Sequence, residues 1–161
     1  MLNANVIIMN KKIFSFFLLL SIIILNPAYG IDENNKTYFL SLKKDVVFVR
    51  QGPSLEYPIK MIYKKKYLPV EVIDSWENFK KVKDYKNNVG WIHIYLLSKK
   101  KTAINIKNNS IIFKSPTIYS KPIAKLEKGR LIFIKKCQNT WCKVTSANYK
   151  GWIKKEFLWG K

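Results

Sequence analysis

The chain has 161 residues, with 30 Lys plus Arg against 10 Asp plus Glu, one histidine (His93) and two cysteines (Cys137 and Cys142). One histidine cannot supply a multi-histidine metal site, and the length excludes a doubly wound α/β enzyme with a second domain. Of the 30 cations 28 are lysine; a low-GC genome inflates lysine, so composition drift competes with a selected basic surface, and either attracts polyanions at low salt.

Residues 1–30 read as an export signal. Met9 to Lys12 form a short basic region, Ile13 to Leu25 an apolar run, Asn26-Pro27 a break, and Ala28-Tyr29-Gly30 a cleavage site with small residues at its first and last positions. Thirteen apolar residues are fewer than the roughly 20 a spanning helix needs. Cleavage after Gly30 starts the mature chain at Ile31, and Met9 fits the start of such a signal better than Met1. The mature charge is then +18, because Lys11 and Lys12 leave with the signal. A periplasmic or secreted protein without a stable membrane span is expected, and no segment after residue 30 is apolar for long enough to cross a bilayer.

After the signal the sequence repeats itself. Leu40–Lys43 resembles Ile104–Lys107, Val47–Arg50 resembles Ile111–Lys114, and Pro58-Ile59 resembles Pro122-Ile123, each at an offset of 64. Phe79–Val82 aligns with Trp141–Val144 at 62, and Gly90-Trp91-Ile92 with Gly151-Trp152-Ile153 at 61. Two copies of one unit follow. The expected organisation is a signal peptide over 1–30, a first domain over 31–98 and a second over 102–161, joined at Lys99-Lys100-Lys101.

Each unit reads as strands in chain order, because apolar residues alternate in runs rich in β-branched and aromatic types. Lys44-Asp45 and Asn108-Asn109 turn an opening hairpin. Gln51–Ser54 and Ser115–Thr117 begin a longer loop. Leu68–Ile73 and Leu131–Ile134 are strands, with Pro69 suited to a strand start or edge. Asp84–Asn88 and Ser146–Asn148 are polar turns, and Gly-Trp-Ile opens the next strand. Units of this size close into small barrels, because closure removes sheet edges. The core expected from the pattern includes Trp91, Trp152, Phe79, Val82 and Val144, and each unit is expected to have its own core.

Cys137-Gln138-Asn139-Thr140-Trp141-Cys142 reads as a hairpin, with either a two-residue or a four-residue loop. Both versions oppose the cysteines closely enough for a disulfide, which an exported protein tends to form. A redox-active pair is the competing reading; it usually has two intervening residues at a helix start, whereas here there are four on strand-like sequence.

The order Val49-Arg50-Gln51-Gly52-Pro53-Ser54, Tyr57-Pro58, Phe79-x-x-Val82, Gly90-Trp91-Ile92, Leu96-Leu97 resembles the bacterial SH3-like domain family. The pair of units, with the cysteine hairpin and the closing Leu158-Trp159-Gly160, looks like the exported alphaproteobacterial proteins with two tandem SH3-like domains. The second copy departs at Lys114-Ser115-Pro116-Thr117, where the Gly-Pro-Ser glycine is lost. The resemblance implies an all-β fold of two tandem small SH3-like β-barrels and a non-catalytic binding module at the cell envelope, often on peptidoglycan. An adaptor that binds another exported protein is the alternative.

No catalytic constellation is legible. His93 follows Gly-Trp-Ile on strand-like sequence, the cysteines are better explained as a bridge, Glu71 and Asp74 are an ordinary pair, and no Gly-rich phosphate loop occurs. No catalytic residue, metal or cofactor is expected. Ligand contacts are expected from aromatic rings, which pack on sugar faces and carry a polar tip; the candidates are Tyr57, Tyr63, Trp76, Tyr95, Tyr119 and Trp141. Expected partners are peptidoglycan or another envelope polymer, or an exported protein. Nucleic acid is not expected, since no motif for it occurs and export puts the chain in the wrong compartment.

Overall fold

The computed structural model describes residues 38–161; the export signal, the start at Met9 and the cleavage site before Ile31 lie outside the described residues. The first repeat contains β1 (Tyr38–Leu42), β2 (Val47–Arg50), β3 (Ile59–Tyr63), β4 (Pro69–Trp76), β5 (Phe79–Lys83), β6 (Val89–His93) and β7 (Leu97–Ser98). The second contains β8 (Thr102–Asn105), β9 (Ser110–Phe113), β10 (Pro122–Leu126), β11 (Leu131–Gln138), β12 (Trp141–Ser146), β13 (Tyr149–Lys154) and β14 (Leu158–Trp159). A single 3-10 turn precedes the last strand of each repeat, Ile94–Leu96 and Lys155–Phe157.

The strand orders are β3-β2-β6-β5-β4-β1-β7 and β10-β9-β13-β12-β11-β8-β14, one topology written twice. This is the all-β architecture of two tandem SH3-like domains. The last strand returns to pair with the first, Leu42 opposite Leu97 and Asn105 opposite Leu158. Pro69 opens β4, where it faces Ser41. Asn109 and Asn139 take positive φ in hairpin turns, a conformation that asparagine tolerates better than most residues.

The register corrects the sequence alignment of the opening strands. Gly90 and Gly151 are equivalent, and a Cβ on each would press against Val49 and Ile112 respectively, within 2.4 and 2.6 Å of a side-chain carbon. Arg50 pairs with Trp91 and Ile59, whereas Phe113 pairs with Trp152 and Pro122. The offset there is therefore 63 rather than 64, and a one-residue slip in a strand exchanges its two faces. The similarity was misleading because it matched Leu with Ile and Pro with Pro. The true counterpart of buried Leu42 is buried Asn105, and that of buried Val47 is buried Ser110. Asn105 Nδ2 donates to the carbonyls of Lys107 and Glu127 at 2.8 Å, and its Oδ1 accepts from Ser110 Oγ at 2.8 Å. A satisfied polar pair has taken the place of an apolar one, which burial tolerates only when every group is bonded.

The core also differs from expectation. Ile92 and Ile153 point inward and are fully buried. Trp91 and Trp152, their neighbours along the strands, face the other side of the sheet. Trp91 is only half-buried, flanked by Arg50 and by the Lys81 ammonium 5.9 Å from its ring. Trp152 is buried on that outer side, next to Phe113. Phe79, Val82 and Val144 are buried. Two core clusters form, but they are not confined to their own repeats: Ile104 of β8 belongs to the cluster of Leu42, Val70 and Val82, and Leu131 packs against it.

Candidate functional site

The six aromatic candidates occupy separate environments. Tyr63 turns inward, and its hydroxyl donates to Asp84 Oδ2 at 3.1 Å. Burial, and then the charge of Asp84, raise its phenol well above the usual value. Asp84 is itself buried and accepts further bonds from the backbone N–H groups of Lys86 and Asn88 and from Asn88 Nδ2. This pair fastens the Asp84–Asn88 turn to β3 and leaves no free phenol tip for a ligand. Trp141 is half-buried with its ring edge-on to Phe113 at 5.7 Å.

The other four are exposed. The Tyr57 ring lies over Gly52, and its carbonyl accepts from Arg50 Nη1 at 2.7 Å, which braces the long loop. Trp76 stands at the tip of the β4–β5 hairpin. Tyr95 has the Lys43 ammonium 4.8 Å from its ring, and Tyr119 is 93% exposed on the loop before β10. No ring contact joins two of the six among the described residues. His93 Nδ1 accepts from the backbone N–H of Tyr95 at 3.2 Å and caps the 3-10 turn. Its ring lies edge-on to Phe79 at 5.0 Å.

The disulfide is present. Cys137 pairs with Cys142 in the β11–β12 register, with Asn139-Thr140 as a two-residue turn and a Cα separation of 4.0 Å. No free cysteine occurs among the described residues, and no cluster of three or more metal-ligating side chains was found there. No helix of the described residues is long and apolar enough to cross a membrane.

A concavity lies where the repeats meet. Phe39 of β1 stacks edge-on against Trp159 of β14 at 5.0 Å, and Tyr67 against Phe133 at 5.4 Å. Thr102 Oγ1 donates to the Tyr67 carbonyl at 2.8 Å. Gly160 has φ +107°, and a Cβ there would stand 2.7 Å from Pro69 and 2.9 Å from the Thr102 carbonyl; only glycine permits this closure. Phe39, Thr102 and Gly160 also line a cleft of about 520 Å³. Six lysines line it, Lys99, Lys100, Lys101, Lys136, Lys155 and Lys161, together with the exposed Tyr38 and no acidic side chain among the described residues. Burial, and then the neighbouring charge of Lys155, lower the Lys161 ammonium pKa below its ordinary value. Burial is the main cause, and the Glu156 carboxylate acts in the opposite direction.

None of the six aromatic candidates lines this cleft. In the sequence Lys99–Lys101 reads only as the junction between the repeats. Only the fold adds Lys136, Lys155 and Lys161 to it.

A family model described as bacterial SH3 domain matches residues 43–99 and 107–160. No curated protein matches the chain. Among solved structures it is similar to NlpC2 and NlpC1 of Trichomonas vaginalis, at 14% and 13% identity and a TM-score of 0.36 for each. The alignments cover 79% and 81% of this chain and 49% and 48% of those chains. An NlpC/P60 family protein of Bacillus cereus matches at 10% identity and a TM-score of 0.33, over 75% of this chain and 55% of that one. The chain thus spans about half the length of these structures, and nothing about their activity passes to it at such scores.

Proposed function

Because the chain belongs to the bacterial SH3 domain family, we propose that it is an exported, non-catalytic binding module of the cell envelope that holds an anionic cell-wall polymer, peptidoglycan being the first candidate. The observation that carries this reading is the junction cleft, with its six lysines and no acidic side chain. Clefts lined by one sign of charge raise the local concentration of an oppositely charged partner. Tyr38 at its edge adds a flat face of the kind that packs on sugars. The disulfide supports export, since such bridges persist in oxidising compartments.

The test is retention on purified sacculi across a salt titration, comparing the wild type with a Lys101→Gln, Lys155→Gln double variant. The wild type is expected to be retained at low salt and released as exposed lysines are screened, over about 8 Å at physiological ionic strength. The double variant is expected to bind roughly tenfold more weakly, the equivalent of about 1.4 kcal/mol. Retention unaffected by the two substitutions would remove the cleft from the reading. No retention at any salt would favour the adaptor alternative, for which the exposed apolar pair Phe48 and Ile62, facing each other across β2 and β3 at the sheet edge, offers a surface.

A further inference from the structure

The two repeats carry very different charge. Residues 38–98 hold eleven Lys and Arg against six Asp and Glu, whereas residues 102–161 hold thirteen against two. Genome composition acts on both copies alike, so it does not account for the contrast.

Part of the difference lies on the outer face of β11, β12 and β13. In the first repeat this face is balanced: Glu71 and Lys83 are register partners with an ion pair at 2.7 Å, and Lys81 faces Asp74. At the matching positions of the second repeat Phe133 faces Thr145, and Lys143 faces Lys136. Like charges placed directly opposite each other destabilise a sheet, a cost that the Trp152 ring, 5.8 and 6.0 Å from the two ammoniums, offsets in part. Lys143 and Lys150, with Lys135 at the β11 bulge and Lys114 after β9, border a hollow of about 310 Å³ whose lining also includes Thr145 and Trp152. The Thr145 hydroxyl oxygen is buried and has no hydrogen-bond partner among the described residues. Such an orphan is expensive unless something completes it.

We propose that this hollow is a binding site for a phosphate group of the envelope, with the four lysines supplying charge and the Thr145 hydroxyl one donor. Its concavity fits a compact anion better than a flat surface, and lysine ammonium groups bind phosphate as point charges. None of these four lysines lines the junction cleft, so sacculus retention can fail while this site stands, and the reverse.

The experiment is an NMR titration of the oxidised protein with inorganic phosphate, at ionic strength held constant with sodium chloride. Saturable shifts are expected at Thr145, Gly151 and the Trp152 indole. Lys135→Gln with Lys143→Gln should weaken binding tenfold or more, whereas Lys44→Gln with Lys60→Gln, an equal charge change on the first repeat, should leave it unchanged. Thr145→Val should weaken binding several-fold and at the same time raise the melting temperature of the free protein, because it removes the orphaned hydroxyl. Equal weakening by both lysine pairs, linear shifts without saturation, or a Thr145→Val variant that binds as the wild type would each overturn the site. Competition by phosphatidylglycerol vesicles would identify a lipid headgroup as the source of the phosphate, and competition by a soluble phosphodiester polymer alone would identify a polymer.

Discussion

Tyr63 shows how a side chain that looks like a ligand contact becomes a structural one. A tyrosine near the end of a strand carries the same signal whether it faces solvent or a buried acceptor. Here the acceptor is Asp84, 21 positions away. The sign of its pH effect follows from the direction of the shift. The phenol pKa is raised in the folded protein, so the folded state holds its proton more tightly than the unfolded chain. The Tyr63–Asp84 contribution is fully present below pH 10, the ordinary phenol value, and is lost as pH rises beyond it. Tyr63→Phe should cost about 1.5 kcal/mol at neutral pH, since one bond to a charged acceptor is lost while Asp84 keeps three others. In denaturant titrations the stability gap between wild type and variant should narrow above pH 10. A gap that stayed constant to pH 11 would show that Tyr63 ionises alike in both states.

At the scale of elements, the β11–β12 hairpin is where local sequence and observed geometry agree most closely. The register places Cys137 opposite Cys142 across Asn139-Thr140, with Asn139 at φ +49°. The two-residue loop is thus realised, and the bridge ties the hairpin at its tip. A bridge that closes so short a loop stabilises by roughly 2 kcal/mol in the chain-entropy estimate. The oxidised protein, unfolded without reductant, should show no free thiol, and Cys142→Ala should lower stability by about that amount. Two reactive thiols per chain would contradict the bridge. The opening hairpins show the opposite case. Their apolar patterns align best at the wrong offset, because Asn105 and Ser110 stand where Leu42 and Val47 stand in the first copy. The slip is visible only once the partners of each strand are known.

At the scale of the whole molecule, the repeats share more than a linker. Ile104 is fully buried in the first core cluster although it belongs to β8. Gly160, the Thr102–Tyr67 bond and the Phe39–Trp159 contact close the same junction. A unit near 60 residues is only marginally stable alone, so burying part of one repeat in the other offsets that weakness. Ile104→Ala should cost roughly 2–5 kcal/mol and lower hydrogen-exchange protection in β1 to β7 as well as in β8 to β14. Loss confined to β8–β14 would instead show two independent units.

The sequence by itself determined the strand content, the repeat, the hairpin disulfide and the family, because alternation, turn residues and the order of short motifs are local properties of the chain. It also determined that the second copy is the more basic one. The faces on which Trp91 and Trp152 lie were decided by the tertiary structure, because neighbouring strand residues point to opposite sides and the inward places had already gone to Ile92 and Ile153. The fold likewise decided which lysines lie together. Lys99–Lys101, Lys136, Lys155 and Lys161 are distant in sequence, and only the return of β14 to β8, beside β1 of the other repeat, gathers them around one cleft. Charge clusters of that kind are set by strand order and by the junction between the repeats, and no window of sequence contains either.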